Sequence, residues 1–138
     1  MAVGFSIAVR NALLDLIATL IDADDAAGSL KLYDGTQPSN GGPVTNLLCT
    51  VPLAYPCTGD TASGASLSLT APAAVLPSAA GTATWARIFT NTGTFIADMV
   101  VGESGSGADV ILSASTLTTS TAVDILSITL TAGNAGVE

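Results

Sequence analysis

The chain has 138 residues, of which 49% are hydrophobic and only 10% are charged, with eleven acidic and three basic side chains. This length predicts one domain, residues 1–138, that can bury a sizeable core. The net charge of −8 argues against nucleic-acid binding, which depends on Lys and Arg to neutralise phosphates. In a chain so apolar and poor in charge, we expect partners to cover much of the surface. Because acidic side chains are in excess, a basic protein surface is the expected partner.

The first predicted element is a helix over residues 5–27, which Ser6 can cap and Gly28 can follow. Its apolar side chains cover an arc of roughly 200°, whereas a helix that lies on one sheet needs about 100°. We therefore expect the helix to touch a second body, either loops of its own chain or another subunit. The main stripe is formed by Phe5, Val9, Leu13, Leu16, Ile17 and Leu20, and it is extended by Ile7, Leu14 and Ile21.

The same segment argues against a membrane span, because Arg10, Asn11 and Asp15 interrupt it. No basic residue precedes the apolar run, so a signal peptide is not expected either. Without export, Cys49 and Cys57 are predicted to be reduced thiols and not a disulfide.

From Ser29 onward the hydrophobic pattern alternates, and Gly, Pro, Asn, Asp or Thr clusters interrupt it every few residues. Short strands at such spacing without intervening helices indicate a mainly β fold, an antiparallel β-sandwich or jelly roll of about eight short strands over residues 29–131. Residues 132–138 are predicted to be a tail. The predicted strands are residues 29–34, 46–53, 66–70, 82–90, 94–101, 108–115 and 122–131, with residues 73–77 as an eighth.

The fourth and fifth predicted strands form a hairpin through Asn91–Gly93, a three-residue turn with Gly in the left-handed position. That turn places Arg87 opposite Ala97, whereas a register one residue different pairs Arg87 with Asp98. The guanidinium then either reaches water over Trp85 or makes an ion pair or stacked contact with another subunit. The tryptophan itself is expected in the core.

Two short motifs resemble ligand sites and fail on their chemistry. Gly102 and Gly107 have the spacing of a phosphate-binding loop, but Ala108 and Asp109 stand where Lys and Ser or Thr are needed. The acids of Asp22–Asp25 do not continue into the ligand pattern of a calcium loop. We therefore predict no cofactor and no metal, glycines that join two strands in a turn, and acids that are either solvated or in contact with a basic partner.

The sequence contains few side chains that could act as a catalytic base or nucleophile. The chain contains no His, so neither a triad nor a His-activated thiolate is available. A carboxylate pair such as Asp98 and Glu103 lacks supporting polar groups, and an unusual enzyme would need both clustered with Asp109 in a pocket. The sequence therefore predicts that the protein is not an enzyme.

Three segments of strand and turn, "LKLYDGTQPSNGGPVTN", "GTATWARIFTNTGTFIADMVVGESGSGADVIL" and "ILSITLT", resemble the cement or decoration proteins of tailed bacteriophages. The resemblance implies a jelly roll that forms a homo-oligomer, most simply a homodimer. It also implies assembly in the host cytoplasm and a place on the outer capsid surface, across contacts between major capsid proteins. No functional residue transfers individually. The candidate partner contacts, chosen by residue type, are Arg10, Asp22, Asp24, Asp25, Lys31, Tyr33, Tyr55 and Arg87.

The alternative function is a receptor- or carbohydrate-binding β-sandwich of a phage fibre or tail. The long polar loops at residues 34–43 and 54–65 favour it, because such loops can form a binding end. Sugar sites present exposed aromatic rings. Tyr33 and Tyr55 exposed side by side would therefore support this alternative.

Overall fold

The structure, a computed structural model, describes residues 4–39 and 41–132. Within these residues the chain is mainly β with one amino-terminal helix, which confirms the predicted class. The elements are α1 (Ile7–Ile21), β1 (Ser29–Tyr33), β2 (Leu47–Pro52), β3 (Ser66–Leu69), β4 (Gly81–Thr82), β5 (Trp85–Phe89), β6 (Phe95–Glu103), β7 (Val110–Leu112), β8 (Thr116–Leu117) and β9 (Ile125–Thr131). Seven strands form one mixed sheet in the order β2-β1-β5-β6-β7-β9-β3, and β4 pairs with β8.

Strand β6 connects the two halves of the sheet. Its residues 95–100 pair antiparallel with β5, and Val101–Glu103 pair with β7. The second pairing is parallel, so the expectation of a wholly antiparallel sheet is wrong at this point. Parallel neighbours normally need a long crossover. Here the chain turns back after Glu103 and forward again at Asp109, whose carboxylate accepts a hydrogen bond from Val100 N at 3.1 Å.

The two glycines of the phosphate-loop-like motif have different roles. Gly107 lies in the turn with φ +78°, as predicted for a turn glycine. Gly102 lies inside β6 opposite Ile111, which corrects its predicted place in the turn. A Cβ at Gly102 would come within 2.4 Å of Ser106 Oγ. The absence of a side chain at Gly102 therefore lets the returning chain approach the strand closely.

The predicted strand over residues 82–90 is divided in two. Ala83 N donates to Ser115 O at 2.8 Å, and Thr84 N donates to Tyr33 O at 2.9 Å. The chain therefore changes partner between β4 and β5, and it gains the unpredicted β8 as a neighbour. The predicted eighth strand, residues 73–77, forms only an isolated bridge at Val75.

The helix is capped by Ser6 as predicted, but it begins two residues later and ends six residues earlier than the predicted range. Ser6 Oγ accepts a hydrogen bond from Val9 N at 3.2 Å, and the helix stops at Ile21. Asp22 is the C-cap residue, and Asp25 has a left-handed φ of 53°. The acidic run therefore lies in the turn at the negative end of the helix dipole, where carboxylates are unfavourable. The predicted tail, except Ala132, lies outside the described residues.

The core lies between one face of the sheet, α1 and the loops. Strand residues such as Leu30 and Ile88 are fully buried, and α1 contributes Leu14, Ala18 and Ile21. Both cysteines are free, as predicted, and both are buried. Burial, together with the neighbouring Asp22 carboxylate, raises the pKa of the Cys57 thiol to about 12.

Candidate interaction surfaces

The polar side chains of α1 bind the backbone of their own chain. Arg10 Nε donates to the carbonyl of Ala132 at 2.5 Å. Asn11 and Asp15 each accept a hydrogen bond at 2.8 Å from backbone N–H groups in the loop over residues 62–65. We predicted that the helix touches a second body besides the sheet. Loops of the same chain lie against it and are part of that second body. They also fix how the helix is rotated on the sheet.

That rotation leaves most of the predicted apolar stripe at the surface. Ile17 packs against the core, but Leu16 and Val9 are 53% and 43% exposed. At 100° per residue, the exposed residues of α1 other than Ile7 form one continuous arc without a charged side chain. We call this arc the outer face of α1. It comprises Ala8, Val9, Ala12, Leu13, Leu16, Thr19 and Leu20.

The acidic turn after α1 contacts two loops. Asp24 Oδ2 accepts a hydrogen bond from Thr92 Oγ1 at 3.1 Å, and Asp25 Oδ1 accepts one from Tyr55 Oη at 3.2 Å. Asp24, Asp25 and Tyr55 all remain exposed. Three of the predicted partner contacts therefore lie close together at the surface. Asp22 is instead half-buried and accepts from Cys57 N at 3.1 Å.

Arg87 is buried, and acceptors of its own chain bind its guanidinium. The register is the second of the two predicted, with Arg87 opposite Asp98. Its Nε and Nη2 donate to the two carboxylate oxygens at 2.6 and 3.0 Å, and Nη2 also donates to Gly42 O at 2.9 Å. The guanidinium lies 5.3 Å from the ring centroid of Trp85 and 4.7 Å from that of Phe95. Only 6% of Arg87 is exposed, so it offers a partner almost no surface.

Tyr33 is also buried, which removes the arrangement expected for a sugar site. It is 3% exposed and stacks on Trp85, with ring centroids 4.5 Å apart. The loop after β1 covers this side of the sheet, because Trp85 Nε1 donates to Asp34 O at 2.9 Å. Tyr55 is 49% exposed, so the two tyrosines do not form an exposed pair. Lys31 is half-buried, and its Nζ lies 4.9 Å from the ring centroid of Phe89.

The carboxylates considered for catalysis have separate partners. A groove of about 160 Å³ between α1 and the sheet is lined by Asp98 and Asp109 but not by Glu103. Glu103 accepts hydrogen bonds from Ser115 N and Oγ at 2.9 and 2.8 Å, which lowers the pKa of its carboxyl. Among residues 4–39 and 41–132, no three ligating side chains are grouped to hold a metal. No helix in the same ranges is long and apolar enough to cross a membrane.

Sequence reasoning did not identify which side of α1 faces its own chain, or that the loop after β1 covers buried side chains of the sheet. The pattern of α1 showed its apolar residues but gave no signal that Arg10, Asn11 and Asp15 would face the backbone of their own chain. The loop over residues 34–43 was predicted as part of a possible binding end, but its residues Asp34 and Gly42 contact Trp85 and Arg87. Comparison with family models, curated proteins and solved structures finds no match for the chain.

Proposed function

We propose that the protein is a structural virion protein that binds the outside of a phage capsid and links neighbouring major capsid proteins. The observation that carries the proposal is the spread of exposed large apolar side chains over several elements of a chain poor in charge. Besides the outer face of α1, they include Leu76 in a loop, Val100 on β6 and Leu126 on β9, each more than half exposed. Large exposed apolar surface marks places that partners cover.

Contacts on several sides are what a cement protein needs. A protein that touches two neighbouring shell subunits adds its own binding free energy to the cost of separating them. Because such sites repeat over a shell, modest contacts at each are sufficient. The strand-and-turn segments that resemble phage cement proteins support the same role, and the jelly-roll arrangement that they imply is part of this proposal.

The acidic turn at Asp24 and Asp25 supplies the charged part of the proposed contact. Both side chains are exposed, and the chain as a whole carries a net charge of −8. A basic patch on a capsid subunit would attract this end, and salt would screen that attraction over about 10 Å at 0.1 M ionic strength.

The test is cosedimentation of the purified protein with capsids that lack it, over a salt series, followed by heating of the shells. We expect saturable binding in fixed proportion to shell subunits and better survival of the loaded shells. Asp24→Asn with Asp25→Asn should bind more weakly and with a shallower salt dependence. Asparagine tolerates the left-handed backbone at Asp25.

The matched control removes the same charge elsewhere, at the exposed Asp60 and Asp124. Equal weakening in both double variants would show a general charge effect and remove the acidic turn from the contact. Absence of wild-type binding would reject the cement function, and a glycan screen would then test the receptor- or carbohydrate-binding alternative.

A further inference from the structure

We propose that the outer face of α1 is a self-association surface, on which α1 of a second copy of this chain packs antiparallel across a two-fold axis. The inference concerns the purified protein and does not depend on any property of a capsid. It identifies which of the exposed apolar surfaces is covered by a copy of the chain.

The first argument is that α1 cannot turn its outer face inward. Hydrogen bonds from Arg10, Asn11 and Asp15 to the backbone hold one side of the helix against its own chain. Leu14 and Ile21 fill the core at 1% and 0% exposure. The apolar arc opposite them therefore stays at the surface until another molecule covers it.

The second argument is the spacing of the large residues in the arc. Val9, Leu13, Leu16 and Leu20 follow one another at intervals of four, three and four residues. This is the a/d spacing that forms the seam between two packed helices. Such a seam is self-complementary, and a two-fold axis joins the same patch of both copies.

The third argument is electrostatic, and it sets the orientation. Two copies of an acidic chain repel each other, but the outer face itself has no charge. A parallel pair would bring both acidic turns, Asp22–Asp25, to the same end of the interface. An antiparallel pair places them at opposite ends and also aligns the helix dipoles favourably.

The size of the surface sets the expected strength. A helix of 15 residues is about 22 Å long at 1.5 Å per residue. A pair of such helices lies at or below the lower end of stable interfaces, roughly 1,200 Å² in total. We therefore expect a monomer–dimer equilibrium with a dissociation constant on the order of micromolar.

The test is sedimentation equilibrium of the full chain from 1 to 100 µM, with Leu16→Glu as the disrupting variant. Leu16 is 53% exposed, so the monomer should fold with unchanged circular dichroism and urea midpoint. Each glutamate would be buried against Leu13 of the other copy without a charged partner, which should weaken association by about a hundredfold or more. Leu126→Glu makes the same change on β9, where the leucine is 51% exposed, and should leave association unchanged.

A wild-type protein that stays monomeric at 100 µM would overturn the proposal, as would equal effects of the two variants. If the wild type is monomeric and Leu16→Glu abolishes cosedimentation with shells, the outer face belongs to a capsid contact instead. Orientation is tested by oxidising a mixture of Val9→Cys and Leu20→Cys chains, since both native thiols are buried. Disulfides between the two different variants are expected, and a predominance of links between two Val9→Cys chains would refute antiparallel packing.

Discussion

Removal of the Asp98 carboxylate is the sharpest test of how the sheet is held together. Asp98→Asn removes the negative charge beside the guanidinium of Arg87, which is only 6% exposed. The neutral amide oxygen, the Gly42 carbonyl and two aromatic rings then remain as its partners. Breaking one side of a buried ion pair costs about 3–5 kcal/mol. Because both carboxylate oxygens accept hydrogen bonds from Arg87, at 2.6 and 3.0 Å, we expect the free energy of unfolding to fall by an amount within that range.

The double variant Arg87→Met with Asp98→Leu removes both charges. Because an apolar pair avoids the desolvation cost of burying two ions, replacement of both partners is often close to neutral. We expect the double variant to lose less than about 2 kcal/mol, which includes the Gly42 hydrogen bond. Its stability should therefore exceed that of Asp98→Asn alone.

The assay is urea unfolding of the wild type, Asp98→Asn, the two single variants Arg87→Met and Asp98→Leu, and the double variant, followed by the fluorescence of Trp85. A double-mutant cycle then gives the coupling energy between the two side chains. A loss below about 1 kcal/mol for Asp98→Asn would match an exposed pair and refute this account of the burial. Strictly additive losses would show that the two side chains are not coupled.

Three further predictions concern single side chains. The pKa of about 12 for the Cys57 thiol predicts that iodoacetamide labels it at pH 8 far more slowly in native protein than in urea; equal rates would contradict its burial. Gly28→Ala should lower the free energy of unfolding by about 1–3 kcal/mol in urea titrations, because its Cβ would lie 2.5 Å from Phe89 O. Gly59→Ala meets nothing within 4 Å and should be nearly neutral. Because the pKa of Glu103 is lowered in the folded chain, its contribution to the free energy of unfolding is complete above its ordinary pKa and is lost as the pH falls through the folded value. Glu103→Gln should therefore lose less stability than the wild type between pH 5 and pH 3. An unchanged dependence of stability on pH in this variant would exclude that role.

The helix shows what the hydrophobic pattern can and cannot predict. Ser6 and the apolar periodicity predicted the start of α1 and its wide apolar arc. They did not predict which side of the arc is buried. Leu14 and Ile21, assigned to the edge of the stripe, lie in the core, while Leu13 and Leu16 are exposed. Periodicity treats polar residues as solvent-facing, and it cannot detect that Asn11 and Asp15 bind a distant loop of the same chain.

The strands show the same limit. Alternation located the strands that form the large sheet, because most of them bury one face, although β5 is buried on both. It did not predict the parallel pairing of β6 with β7, which depends on the close approach that Gly102 permits. The sequence left two registers open for Arg87, opposite either Ala97 or Asp98. The structure adopts the second, in which Arg87 and Asp98 form an ion pair. Charge complementarity across strands was therefore a usable signal.

The contacts that hold α1 also bear on how the chain folds during synthesis. The partners of Asp15, Asn11 and Arg10 are 47, 54 and 122 residues further along the chain. The helix therefore emerges from the ribosome long before the segments that position it, and contacts so distant in sequence form slowly. Until then both of its apolar sides are open to water and to other nascent chains. Newly made protein is thus most prone to aggregation before Ala132 has left the ribosome and reached Arg10.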